Sequence, residues 1–342
     1  MPDTGSATAP TMGSSAGVVR SLNYRDAVSA ALHRACAEWP EVLVYGEDVG
    51  IPGGVFGVTK GLRAAFGRRV FDTPISESAI LGSAVGAALM GRRPIVEIMW
   101  ADFSLVALDQ LVNQAANIRY VSQGRLTAPI TVRTQQGTAP GACAQHSQCL
   151  EAIFLHVPGL RVAMPATPQD AYDVLLSSVA CEDPVIVIEN RTLYSGLRTD
   201  VICDGQIQPI GGAVKRRDGS DVTVVTWGAM QAVVLDAAER LAVDGVELDI
   251  IDLRWLNPCD TDAILESTAK TGRLMVVHEA NRTGGFGAEI VARTAEAGLT
   301  LSSPPVRLGL DDVRVPAAPS LLAAVVPGVE QVVKAGRTLA RR

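Results

Sequence analysis

The sequence predicts an α/β protein of two domains, each a mostly parallel sheet flanked by helices, and three observations carry that expectation. The chain has 342 residues, too many for one ordinary core and enough for two of roughly 150 residues each. Its 48% hydrophobic, 4% aromatic and 19% charged residues describe an interior of Ala, Val, Leu and Gly, not a disordered chain. Short apolar runs alternate with helix-period segments twice, on either side of a Gly- and Pro-bearing stretch without periodicity. The expected division is a disordered tail at 1–19, a first domain at 20–195, a linker at 196–219 and a second domain at 220–342.

The tail lacks the charged start and apolar centre of a signal peptide. Asn23 is placed to cap a helix whose apolar positions Val28, Ala31, Leu32, Ala35 and Cys36 share one face, and Pro40 stops it. Val42–Tyr45 reads as a strand opening onto the glycine-rich GEDVGIPGGVFGVTKG, which is neither GxGxxG nor a P-loop. Loops at the carboxyl ends of parallel strands are where such sheets bind ligands, and Glu47 and Asp48 would repel phosphate. A turn at Pro74 leads into a helix with Glu77 in its first turn. Gly82, Ser83, Ala84, Gly86, Ala87 and Ala88 strip one helix face to backbone, so another helix or a ligand can approach closely.

Pro94–Met99 and Ile130–Arg133 read as strands, with a helix capped by Asp102 running between them to about Tyr120. Gln135–Cys143 is a Gly/Ala-rich loop, and a helix is expected to start at Gln145–Gln148. Strands Leu160–Met164 and Val185–Glu189 flank a helix over Thr167–Val179. In the second domain, strands Val222–Trp227, Val246–Ile251 and Leu274–Val277 alternate with helices Met230–Ala242, Thr261–Thr271 and Gly287–Ala297.

A net charge of −6 without a Lys/Arg cluster argues against nucleic acid as a partner. No apolar run reaches the roughly 18 residues of a membrane span, and six scattered cysteines without a CxxC pair fit reduced thiols in a cytoplasmic protein. No HxH, HExxH or DxDxDG spacing marks a metal site, and no GxSxG marks a serine nucleophile. Among four histidines, His33 and His156 read as surface or structural groups and His278 as a hydrogen-bonded structural one. His146 differs: it follows the flexible loop and is flanked by Gln145, Ser147 and Gln148, where an imidazole could exchange a proton near neutral pH. The competing reading of His146 is a helix-capping or core-bonded role.

The ordered runs GEDVG (Gly46–Gly50), GVTKGL (Gly57–Leu62), DTPISE (Asp72–Glu77), the stretch Ala84–Phe103, DQLVNQAA (Asp109–Ala116) and AQHSQ (Ala144–Gln148) point to one family. The chain resembles the beta subunit of the thiamine-diphosphate-dependent decarboxylating component of 2-oxoacid dehydrogenase complexes. The resemblance continues through DVTVVTWG, IIDLRWLNPCD, KTGRLMVVHEA and TGGFGAEI, over about residues 20–335. It implies a transketolase-like pyrimidine-binding domain followed by a transketolase C-terminal domain. It also implies an alpha subunit, an α2β2 heterotetramer, a 2-oxoacid substrate (pyruvate or branched-chain) and acyl transfer to the lipoyl arm of a dihydrolipoyl acyltransferase core.

Residue by residue, the resemblance implies that Glu77 contacts the cofactor pyrimidine, where a carboxylate favours the imino tautomer. Phe103 and Met99 would line the same ring, Glu47 would be an acidic group near the cofactor, and His146 would stand in the active-site channel and assist transfer to the lipoyl group. A potassium ion is expected near Ile130, Ser178, Val179, Cys181 and Asp183, with Cys181 in place of the usual aspartate. The chain contains no GDG motif, so the magnesium ion and the diphosphate fall to the alpha subunit. An acetoin dehydrogenase beta subunit is the alternative within enzymes. A non-catalytic assembly subunit docking the acyltransferase core is the alternative outside them, and the joint presence of Glu77, Phe103 and His146 disfavours it.

Overall fold

The computed structural model describes residues 18–341. Strand β1 (Val18–Leu22) precedes α1 (Tyr24–Glu38), and Asn23 caps that helix by accepting from the Asp26 amide at 2.9 Å. Then follow β2 (Val42–Gly46), the short α2 (Leu62–Phe66), β3 (Val70–Asp72), α3 (Glu77–Leu89), β4 (Arg93–Ile98), the single-turn α4 (Ile118–Val121), β5 (Thr131–Gln136) and α5 (Glu151–Leu155). The first half closes with β6 (Arg161–Ala163), α6 (Pro168–Ala180) and β7 (Val185–Asn190). Thr167 caps α6 and Pro168 opens it, which suits a residue that has no amide hydrogen to place.

The segment expected as a linker carries two strands, β8 (Thr199–Cys203) and β9 (Val214–Arg217). Beyond it lie β10 (Val222–Thr226), α7 (Met230–Val243), β11 (Leu248–Asp252), β12 (Trp255–Asn257), α8 (Thr261–Thr271), β13 (Leu274–Asn281), α9 (Phe286–Glu296), β14 (Val306–Leu310), α10 (Pro319–Val325) and α11 (Val329–Ala340). Of the expected tail, residues 1–17 lie outside the described residues, and Val18 and Val19 belong to β1, which pairs antiparallel with β8. Among the described residues, no helix is long and apolar enough to cross a membrane.

Seven strands form the first sheet in the order β12-β6-β7-β5-β4-β2-β3, parallel except for β12. The second sheet, β14-β13-β10-β11-β9, is parallel except for β9 at its edge. Helices α1 and α6 share one core on the first sheet, where Ala27, Ala31 and Leu32 meet Ala171 and Leu175. The opposite face is covered by α3 and merges with the second domain, because Val96, Val132 and Ile186 belong to the same core as Val225, Trp227 and Ile251. Strand β12 strengthens the union by crossing from the second domain to extend the first sheet, with the Met164 amide donating to the Arg254 carbonyl at 2.7 Å.

The helix expected from Asp102 to Tyr120 is broken. Residues 101–107 form 3-10 turns, 110–114 a π turn and 115–117 another 3-10 turn before α4. The physical reason is competition for carbonyls: Ser104 donates to Ala101, and Ser78 of α3 donates to Val106 at 2.7 Å. Asp102 does not cap; its carboxylate accepts from Gln148 instead. The helix expected at Gln145–Gln148 is also displaced, and α5 begins only at Glu151. Amides that would enter that helix go elsewhere, Gln148 to Asp102 at 3.3 Å and Leu150 to Gln136 Oε1 at 2.9 Å.

Candidate active site

Strand order decides where the acidic groups gather. The chain moves from β2 outward to β3 and then back across to β4, so the sheet reverses direction beside β2, and ligands bind at such reversals. Gly46 sits between Asp72 and Glu97 in the register of these strands, so three strand ends lie level. Glu47 leaves β2 there, Glu77 follows β3 as the first residue of α3, and Met99 follows β4.

Glu77 is 8% exposed, and no donor among the described residues reaches its carboxylate. Ser76 precedes α3 without capping it, so Glu77 meets a helix N-terminus and little else. Glu47 is half-buried, and its carboxyl is pushed above the ordinary range by burial, then by the charges of Glu77 and Asp48. The Glu77 carboxylate thus keeps free acceptor capacity at the level of the strand ends, close to Glu47.

Phe103 and His146 meet edge to face with centroids 5.5 Å apart, and Trp100 approaches His146 the same way at 5.4 Å. The Ser78–Val106 hydrogen bond holds the Phe103 turn against the start of α3, so Glu77 and this aromatic cluster belong to one locality. Met99 is half-buried at the strand exit beside Trp100. Trp100 has φ 74°, a left-handed conformation that costs a bulky residue on the order of 1–3 kcal/mol. Phe56 packs on it edge to face at 5.3 Å, and the Arg191 guanidinium lies 4.8 Å from its ring centroid. Arg191 also donates to Ser147 Oγ at 3.2 Å, and burial lowers its pKa. Neither Trp100 nor Arg191 was evident from the sequence: one lies within an apolar strand motif, the other after a strand end, and only the fold brings them to His146.

Behind the site, Arg133 of β5 is 1% exposed and bridges the neighbouring strands, donating to Glu97 at 2.5 Å and to both oxygens of Glu189 at 2.7 and 2.9 Å. Tyr194 donates to the same Glu189 and packs on Phe56 at 5.0 Å, linking this buried group to the aromatic cluster.

The oxygens of the five residues expected around potassium each take part in a hydrogen bond or ion pair. Arg93 Nη1 donates to the carbonyls of Val179 at 2.9 Å and Cys181 at 3.2 Å. The Ile130 carbonyl accepts from the Val185 amide, the Ser178 carbonyl accepts from the Cys181 amide, and Asp183 is ion-paired with Arg119 and Arg161. The Arg93 guanidinium thus stands beside two of the five expected positions. Among the described residues no cluster of three or more His, Cys, Asp or Glu is arranged to hold a metal.

The chain matches the family description "Transketolase, pyrimidine binding domain" over residues 20–196 and "Transketolase, C-terminal domain" over residues 211–332. It is 40% identical to the acetoin:2,6-dichlorophenolindophenol oxidoreductase subunit beta of Cupriavidus necator, covering 94% of this chain and 98% of that one. It is also 40% identical to the 2-oxoisovalerate dehydrogenase subunit beta of Bacillus subtilis, over 93% of this chain and 98% of that one. This chain is a dehydrogenase beta subunit of that family. The pyruvate dehydrogenase E1 component subunit beta of Staphylococcus epidermidis is 41% identical over 85% of this beta subunit and 90% of its own length. Solved structures agree on the fold: a split-gene transketolase in an inactive beta4 tetramer superposes with a TM-score of 0.77 at 24% identity, covering 94% of this chain and 99% of that one. A transketolase from Pichia stipitis gives 0.67 at 14% identity, with 94% of this beta subunit spanning 46% of that chain.

The remaining histidines of the beta subunit separate clearly. His33 is half-buried against the Phe66 ring at 5.7 Å, and His156 is exposed at the end of α5. His278, expected to be hydrogen-bonded, is fully buried, and neither ring nitrogen completes a hydrogen bond. Its ring stacks on Trp227 at 5.3 Å and fits only because Gly285, Gly287 and Gly309 lack side chains; a Cβ at Gly287 would lie 2.7 Å from Nε2. Burial lowers its pKa from 6.5 to about 4, with Arg307 adding to the shift and the nearby Ala280 backbone offsetting part of it. The folded pKa is depressed for a base, so the unfolded chain binds the proton first, and stability falls as pH drops from 6.5 towards 4. The expected loss across that window is about 3 kcal/mol. Urea melts at pH 7, 6, 5 and 4 check it, and His278→Leu should flatten the decline; an equal slope in the variant would refute the assignment.

Proposed function

We propose that this beta subunit forms the pyrimidine half of a thiamine-diphosphate site shared with an alpha subunit. The pair, as an α2β2 heterotetramer, catalyses oxidative decarboxylation of a 2-oxoacid, pyruvate or branched-chain, and reductive acylation of a lipoyl domain borne by a dihydrolipoyl acyltransferase core. The observation that carries the reading is the buried Glu77 carboxylate, which lacks a donor at the point where the sheet reverses. The imino tautomer of an aminopyrimidine carries a ring N–H from which that carboxylate can accept, so the residues present fit that half of the cofactor. When bound, the cofactor supplies the nucleophilic carbon and the electron sink for loss of carbon dioxide.

The chain's own groups do the rest. Glu77 accepts the hydrogen bond of the pyrimidine ring nitrogen and holds its tautomer. Glu47, whose pKa burial and the charge of Glu77 raise, stands near the cofactor as a group for proton relay between paired sites. Phe103 and Met99 give the ring an apolar wall, and His146, held between Phe103 and Trp100, moves a proton during transfer to the lipoyl group. Without a GDG motif, this chain leaves the diphosphate and its magnesium ion to the alpha subunit. Ala84 and Ala88 of the small-residue run of α3 are buried in the core, but Ser83 and Gly86 are exposed and suit close approach of a partner: a Cβ at Gly86 would meet nothing within 4 Å, and Met90 beyond it is 82% exposed. An acetoin substrate is the second reading, supported by the Cupriavidus necator relative.

Native mass and subunit composition of the complex copurifying with the tagged chain test the proposal. The expected result is a partner carrying the GDG motif at a mass of two copies of each chain. A chain that runs alone and still binds thiamine diphosphate would overturn the shared site.

A further inference from the structure

We propose that Glu279, contributed by the second domain, is a positioning residue for His146. The inference rests on the functional reading above. Glu279 ends the apolar run of β13, is 5% exposed and reaches across the boundary between the domains. Its Oε1 accepts from the amide of Thr138 at 2.6 Å and from Thr138 Oγ1 at 2.5 Å, while Oε2 accepts from Asn190 Nδ2 at 2.6 Å. Thr138 opens the loop that carries His146, and Asn190 ends β7.

From those two anchors the carboxylate controls both flanks of the imidazole. On one side, Thr138 fixes where the loop leaves β5. Gly137 has φ 105° and no room for a Cβ, which would stand 2.6 Å from Asn190 Nδ2, so the loop and Asn190 are pressed together. On the other side, Asn190 Oδ1 accepts from Thr192 N at 3.0 Å and Thr192 Oγ1 at 2.7 Å, which shapes the turn bearing Arg191. Arg191 then covers Trp100 and bonds Ser147, the residue after His146. The second domain adds one more tie within the loop, as the Gly141 amide donates to the Ala317 carbonyl at 3.1 Å. One buried carboxylate thus fixes the loop, the guanidinium and the indole among which His146 sits. Displacing a reacting group by about 1 Å can cost on the order of 100-fold in rate, so small slack at this anchor matters.

Glu279→Gln isolates the Asn190 tie, because the amide keeps one acceptor for Thr138 and turns a donor towards the Asn190 donor. Combining Glu279→Gln with Asn190→Asp reverses the polarity of that contact and restores it. In the reconstituted complex two rates are measured: 2-oxoacid-dependent reduction of 2,6-dichlorophenolindophenol, which needs no lipoyl transfer, and reductive acylation of a lipoyl domain. The single variant should lose on the order of 100-fold in lipoyl acylation, with dye reduction unchanged, and the double variant should recover acylation. Equal losses in both rates, no loss in either, or failure of the double variant to recover acylation would overturn the positioning role. A wild-type complex without oxoacid-dependent dye reduction would overturn the functional reading, and the inference with it.

Discussion

Replacing Glu77 by alanine should lower turnover of the reconstituted complex by roughly 10²- to 10⁴-fold, the usual worth of a positioned acid or base, while assembly stays intact. Stability should change little. The helix N-terminus attracts the carboxylate by only about 0.3–1 kcal/mol, and alanine, the best helix former, offsets that loss, so the melting temperature should stay nearly level. Glu47 provides a third readout. Its raised pKa owes its main part to burial and a further part to Glu77, so the variant should lower it without returning it fully to the ordinary carboxylate range. Unchanged turnover in dye reduction would sink the catalytic assignment. A lost rate accompanied by lost assembly would show instead that Glu77 serves assembly.

Arg133→Met should produce the largest loss of stability. The substitution leaves Glu97 and Glu189 on the strands either side of β5, both buried and deprived of their shared cation. Removing one partner of a buried ion pair costs about 3–5 kcal/mol, because the remaining charges stay desolvated. Each kcal/mol corresponds to roughly 2–4 °C in a domain of this size, so a fall of about 6–20 °C in melting temperature is expected. The pH dependence carries the sign. Burial already raises the pKa of Glu97 and Arg133 opposes that rise, so without the guanidinium the carboxyl favours its proton more strongly. An acid with a raised folded pKa gains stability as it is protonated, so the gap between variant and wild type should be widest at neutral pH and narrow towards pH 5. Measuring the difference between the two proteins removes the opposing trend of His278, which both share. A gap that stays constant with pH would mean that lost packing, not stranded charge, destabilises the variant. Because Tyr194 joins Glu189 to Phe56, the same variant should also loosen the aromatic cluster around Trp100.

The local elements of this protein were legible in its sequence. Asn23 and Thr167 cap α1 and α6 through bonds within three residues of chain, and their apolar faces follow one helical period. The alternation of strands and helices was readable because burial on both sides of a parallel sheet demands continuous apolar runs, as in residues 42–45 and 274–277. The placement of Glu77 in the first turn of α3 was equally local.

What remained hidden depends on partners far away in the chain. The segment after Trp100 has helical composition, yet side chains from α3 and its own serines claim its carbonyls and break it. β1 and β8 find each other across roughly 180 residues, and β12 leaves its own domain to pair with β6, which no periodicity records. The same holds for Val179 and Cys181, whose carbonyls meet a guanidinium from β4, and for His278, whose cavity three glycines of other segments create. Sequence by itself determined most of the local elements, because caps and periods act within a few residues. Only the tertiary structure decided which buried charge meets which partner, since that depends on strand order, and it set Glu279 of one domain against Thr138 of the other, 141 residues apart.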